Sequence, residues 1–156
     1  MKAYELRPNP GLASLTRCER ADPRPGPGQV LLRMPAWSLN FRDLPVAKGA
    51  YGGPSPQGLI PLSDGVGEVV EVGAGVTRVK RGDRVAGCFM RGFLAGSITA
   101  DALRTALGGA IDGMLAEHVV LSEPGVVHVP ARLSDEETAT RVCRASMWVR
   151  VRCSNR

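Results

Sequence analysis

Ser63-Asp64-Gly65-Val66-Gly67-Glu68-Val69-Val70-Glu71-Val72-Gly73-Ala74-Gly75-Val76, followed closely by Val79-Lys80-Arg81-Gly82-Asp83-Arg84-Val85-Ala86-Gly87, decides how this chain is read. Successive side chains of a strand point to opposite faces, so the pattern predicts Val66, Glu68, Val70 and Val72 on one face and Val69 and Glu71 on the other. Gly73-Ala74-Gly75 ends that strand, because glycine reaches positive φ without steric cost. Gly82-Asp83 is a second turn signal, after which Arg84-Val85-Ala86 restarts an extended run. Many β proteins carry one such turn. The pair, at this spacing, is far more specific.

Three further segments fit the same pattern. They are Ser38-Leu39-Asn40-Phe41-Arg42-Asp43-Leu44, Pro61-Leu62-Ser63-Asp64-Gly65, and Gly109-Ala110-Ile111-Asp112-Gly113-Met114-Leu115-Ala116-Glu117-His118-Val119-Val120. Together they resemble the N-terminal domain of the medium-chain dehydrogenase/reductase superfamily. Within it they are most similar to the zinc-independent alcohol dehydrogenase and quinone oxidoreductase-like branch. The first segment looks like its Asn-x-x-Asp element, the second like its entry into the central strand, the third like its closing strand. The resemblance runs from Met1 to about Thr140. It implies a mainly β fold, a GroES-like, partly open β-barrel with one to three short helices.

A chain of 156 residues is enough for one domain and too short for two of ordinary size. Full members of the superfamily carry a second, nucleotide-binding domain, for which there is no room. Aromatic residues make up only 4% of the chain, so the core has to rest on Val, Leu, Ile and Ala. Nineteen glycines and twelve prolines favour many turns and short strands. No apolar run is long enough to cross a membrane and no secretory signal opens the chain, so the expected location is the cytoplasm.

The net charge of +5 is carried by the last sixteen residues, Arg141 to Arg156, which hold five arginines and no acid. The preceding 140 residues balance fifteen basic against fifteen acidic side chains. Charge therefore gives the body no reason to bind nucleic acid. Cys18 and Cys88 are the only cysteines of the body, no Cys-x-x-Cys occurs, and two reduced thiols are expected.

Along the chain, strands are expected at Met1–Leu6, Gln29–Met34, Gly65–Val72, Arg84–Ala86, Ala116–Leu121 and Val126–Val129. Asn40–Lys48 is compatible with a short helix or turn. Ile98–Leu107 reads as a helix with Thr99 as its N-cap, inside a long excursion from Gly87 to Gly113. Ser134-Asp135-Glu136-Glu137 has the form of a capping box. Composition changes abruptly after Thr140. The expected division is a domain over 1–140 and an Arg-rich tail over 141–156, disordered or produced by a frameshift or gene truncation.

In zinc-dependent relatives the resemblance places the first catalytic ligand at Asn40, a histidine at Ser63 and an acid at Asp64. Asn40 and Ser63 are poor zinc donors, and Asp64 alone cannot hold the metal. The excursion has Cys88 where the structural-zinc loop carries four cysteines. Neither zinc site is expected, and His118 and His128, on separate strands, do not supply one. Gly73-Ala74-Gly75-Val76-Thr77-Arg78 lacks the third glycine and the following helix of a dinucleotide fingerprint, so it reads as a β-turn.

Hydride transfer without zinc still needs its carbonyl polarised. Asn40 is the candidate donor to a substrate oxygen or to the nicotinamide ribose, Tyr51 a phenolic donor, and Asp43 and Asp64 the groups that orient them or accept from cofactor. Each has a structural alternative. Asn40 and Asp43 suit the cap of a helical turn, Asp64 the backbone amides of a strand entrance, and Tyr51 packing on its loop. The resemblance thus implies the substrate-side domain of a zinc-independent NAD(P)-dependent oxidoreductase, acting on a small carbonyl, enone or quinone. The chain alone is expected to be inactive and to bind neither NAD nor NADP tightly. It implies no specific nucleic-acid or membrane partner and leaves a homo-oligomer open. The competing reading is a stand-alone, non-enzymatic GroES-like binding module.

Overall fold

The computed structural model describes residues 1–7, 11–51, 55–93 and 95–141. The expected tail therefore lies, from residue 142 onward, outside the described residues. Two strands, β1 (Lys2–Leu6) and β2 (Leu15–Glu19), form an antiparallel hairpin. Five more form one antiparallel sheet: β3 (Gln29–Ser38), β4 (Asp64–Val72), β5 (Arg84–Gly87), β6 (His118–Ser122) and β7 (Val126–His128). Their order across the sheet is β6-β3-β4-β5-β7. Three short helices accompany the strands: α1 (Asp43–Ala47), α2 (Ala100–Leu103) and α3 (Asp135–Ala139). The mainly β expectation with one to three short helices holds among the described residues.

The central strand β4 alternates as its sequence predicts at its start. A side chain at Gly65 or Gly67 would run into Met34 or Leu32, and Val69 belongs to the same main core. Val66 points the other way, into a second cluster with Ala36, Ala86 and Ala139. Both Val66 and Val69 are fully buried. The Val66 face is roofed where α3 lies over β3 and β4. Register shifts between Leu31 and Leu32, and between Arg33 and Ala36, mark bulges in the β3–β4 ladder. The second spans Pro35, which has no N–H for the ladder.

Among the described residues the main core contains Val30, Leu32, Val69, Leu107, Met114 and Leu121 and no large aromatic side chain. Each such aliphatic burial contributes about 1.5–3 kcal/mol. The Ser134 capping box forms in full: Ser134 Oγ accepts from Glu137 N at 3.1 Å, and Glu137 Oε2 accepts from Ser134 N at 3.0 Å. Arg84 of β5 ties that helix to the sheet through Asp135, at 2.6 Å, and the Leu133 carbonyl. Thr99 caps α2 as expected, accepting from Ala102 N at 3.2 Å, but the helix is only Ala100–Leu103. Gly73–Gly75 is a turn leading out of β4, and no helix follows it.

Candidate functional site

Strands β3 and β4 end side by side, with Ser38 opposite Asp64. Beyond Ser38 the chain turns through Leu39–Arg42 into α1, whose first residue is Asp43. This geometry brings Asn40, Asp43, Ser63 and Asp64 together at one end of the sheet. The Asn40 side-chain amide donates to Asp64 Oδ2. The Asn40 backbone N–H donates to Asp43 Oδ2 at 2.6 Å. Asp43 therefore closes the Asn40–Asp43 turn, while α1 itself has no side-chain cap, and the Asn40 side chain is directed to Asp64. Ser63 Oγ lies 3.5 Å from Asp64 Oδ2. Asp64 does not take up backbone amides at the strand entrance among the described residues.

The approach to Asp64 is held from behind. Leu62 has φ 70, the one positive-φ residue other than glycine among those described, and that region costs a branched side chain about 1–3 kcal/mol. The segment Gly113–Leu115 clamps it: Gly113 N donates to Ile60 O at 2.7 Å and Met114 N to Leu62 O at 2.9 Å. A Cβ on Gly113 would stand 2.0 Å from Leu62 O, so only glycine permits this approach.

Both carboxyls are deeply buried, Asp64 at 1% exposure and Asp43 at 8%. Burial pushes the Asp64 carboxyl up to about 6; the Asn40 amide opposes this, the Asp43 charge reinforces it, and Ser63 and Arg42 oppose it. Burial also raises Asp43, against the Asn40 N–H and the Arg42 charge. One oxygen of each, Oδ1, is buried without a hydrogen bond among the described residues. Such an oxygen is a costly vacancy unless a donor arrives.

Tyr51 is joined to this cluster indirectly. The Arg42 guanidinium carbon sits 5.1 Å from the Tyr51 ring centroid and 4.6 Å from that of Phe89. Arg42 Nη1 donates to Leu107 O at 2.8 Å. Arg42 thus links α1, the Tyr51 loop and the excursion, a role that nothing in its sequence neighbourhood singled out. A cation stacked between two rings depends on tertiary proximity, which spacing does not encode. Leu39 and Phe41, on either side of Asn40, are 82% and 88% exposed, so the buried polar cluster opens beside an apolar surface.

Residues 26–131 match the model of the alcohol dehydrogenase GroES-like domain. The chain belongs to that family. It is 42% identical over 119 residues to a zinc-type alcohol dehydrogenase-like protein of Schizosaccharomyces pombe, covering 76% of this chain and 34% of that one. It is 36% identical over 130 residues to an alcohol dehydrogenase of Rhizobium meliloti, covering 78% and 38%. Among solved structures, the cobalt- and zinc-bound thermostable alcohol dehydrogenase of Pyrobaculum aerophilum superposes with a TM-score of 0.72 at 32% identity, over 90% of this chain and 44% of that one. The chain spans little more than a third of the length of the curated relatives it matches. It is the N-terminal, GroES-like part of a medium-chain dehydrogenase/reductase architecture.

One relative is named zinc-type; the side chains gathered here are an amide, a hydroxyl and a carboxylate. Asn40 offers an amide already given to Asp64, Ser63 a neutral hydroxyl, and Asp64 one free oxygen. Zinc takes thiolate, imidazole or carboxylate ligands, usually three or four. Among the described residues no three such side chains converge. His118 lies in β6 and His128 in β7; His128 Nε2 is 3.1 Å from the Arg78 carbonyl. Nor does the family's dinucleotide find a seat on Gly73–Gly75, which is a turn between strands rather than a strand-to-helix loop.

Proposed function

We propose that this chain is the substrate-side domain of a zinc-independent, NAD(P)-dependent oxidoreductase that reduces or forms a small carbonyl or conjugated enone. The observation that carries the reading is the pairing of half-buried Asn40 with buried Asp64 beside exposed Leu39 and Phe41. In a full-length member a nicotinamide held by a separate domain supplies or accepts the hydride.

The work left to this chain is orientation and charge stabilisation. Asn40 spends one amide hydrogen on Asp64, which fixes the side-chain rotamer and keeps the second hydrogen for a substrate oxygen. A donor held in this way stabilises the negative charge that builds on a carbonyl oxygen during reduction. Asp64, with its carboxyl lifted to about 6, holds a proton in mildly acidic solution and accepts one without large cost near neutrality. Asp43 fixes the Asn40 backbone. Tyr51, half-exposed above Arg42, forms the outer wall. Leu39 and Phe41 supply apolar surface for the substrate or for the companion domain.

Two results test the reading. The purified chain, mixed with NADH or NADPH and a quinone or aldehyde, is expected to show no oxidation of the nucleotide, and turnover would overturn the dependence on a second domain. The same chain is expected to bind 2-cyclohexen-1-one saturably, and linear, non-saturating behaviour would overturn the substrate-side assignment and favour a binding module of other specificity.

A further inference from the structure

A concavity of about 330 Å³ is lined by none of the Asn40–Asp64 cluster residues. It forms where the β1–β2 hairpin is stitched to the segment before β6. Tyr4 N donates to Leu115 O at 3.0 Å and Glu117 N to Lys2 O at 2.9 Å. Trp37 of β3 lines it, and its indole Nε1 donates to Met114 O at 2.6 Å. That bond leaves the ring pinned and partly exposed, a flat apolar wall that costs little entropy to use. Tyr4 and Leu115 provide further apolar surface.

The charges around it are unequal. Glu117 is occupied, since Oε2 accepts the Lys2 backbone N–H at 2.7 Å and Oε1 faces Lys2 Nζ at 3.9 Å. Arg17 stands directly across the hairpin from Tyr4. Its guanidinium makes no hydrogen bond or ion pair among the described residues. A free planar fork beside two aromatic rings is matched by a ligand with a planar apolar body and a carboxylate. The volume stands at the small end of ligand pockets, about 300–1,000 Å³.

We propose that this concavity binds a small aromatic carboxylate, with Arg17 taking the carboxylate and Trp37 and Tyr4 the ring. The test is a titration of the full chain with 2-naphthoate, followed through the Trp37 indole N–H in a ¹⁵N correlation spectrum. 2-Naphthamide serves as the neutral counterpart and Arg17→Gln as the variant. The Arg17 side chain is exposed and makes no hydrogen bond or ion pair among the described residues, so its replacement leaves the β1–β2 ladder in place. Saturable shifts at Trp37 are expected for 2-naphthoate, weakened about fivefold or more both by Arg17→Gln and by replacing the acid with the amide. Absence of saturation at Trp37, or a smaller loss in either comparison, would overturn the proposal.

Discussion

Burial holds the Asp64 carboxyl at about 6 against an ordinary value of 3.8, so the folded protein keeps a proton there that the unfolded chain releases. Stability from this group is complete below about pH 4, falls as pH rises toward 6, and levels off on the order of 3 kcal/mol lower. Asp83 and Glu123, whose carboxyls are held low by hydrogen bonds from Lys80 and from the Arg78 and Thr77 amides, act in the opposite sense. The Asp64 contribution is therefore read as a difference. Asp64→Asn is expected to gain stability over the parent as pH rises from 4 to 6, measured by urea unfolding at each pH; a constant difference would show that Asp64 is not buried as described. Asn40→Ala removes the donor that partly offsets burial. It is expected to raise the Asp64 carboxyl further and to cost about 1–2 kcal/mol at pH 7. A carboxyl ¹³C titration reads the first effect and chemical unfolding the second.

Among the elements, those with strong local chemistry were legible and those made by tertiary contact were not. The Ser134 box, the Thr99 cap and the turns after β4 rest on side chains or glycines a few residues apart, and each formed. Strand β2 went unread because Leu15-Thr16-Arg17-Cys18-Glu19 has no buried face; its residues alternate between exposed and half-buried. Only its pairing with β1 makes it a strand. The roof of α3 over Val66 was equally invisible, since β4 alone looks half-solvated. Ser134→Ala is expected to cost about 1 kcal/mol through loss of the cap, checked by denaturant midpoint. Gly113→Ala is far harsher: its Cβ would overlap Leu62 O at 2.0 Å and displace the strand entrance that presents Ser63 and Asp64. Loss of cooperative unfolding, or of the Asn40–Asp64 bond in a folded variant, is expected; an unperturbed Asp64 titration would contradict the clamp.

At the scale of the molecule, the sequence carried the family, while the contacts among the candidate residues depend on strand pairing and loop packing. Asn40, Asp43 and Asp64 converge because β3 runs past the expected end at Met34 to Ser38, opposite Asp64. Tyr51 reaches the cluster only by way of Arg42, an arrangement built by three separate loops. The exposed Leu39 and Phe41 are poor surface for an isolated domain and good surface for an interface. Phe41→Ser is expected to change unfolding free energy by less than about 0.5 kcal/mol while reducing self-association in sedimentation. A large loss of stability would mean that Phe41 is packed rather than exposed. The central claim is that Asn40, oriented by Asp64, recognises a carbonyl oxygen. Its most direct test follows the Asn40 side-chain amide resonances while 2-cyclohexen-1-one is added to the parent chain and to Asp64→Ala. Saturable shifts of one Asn40 amide proton in the parent, lost in the variant, are the predicted result; shifts that bypass Asn40, or survive unchanged without Asp64, would contradict it.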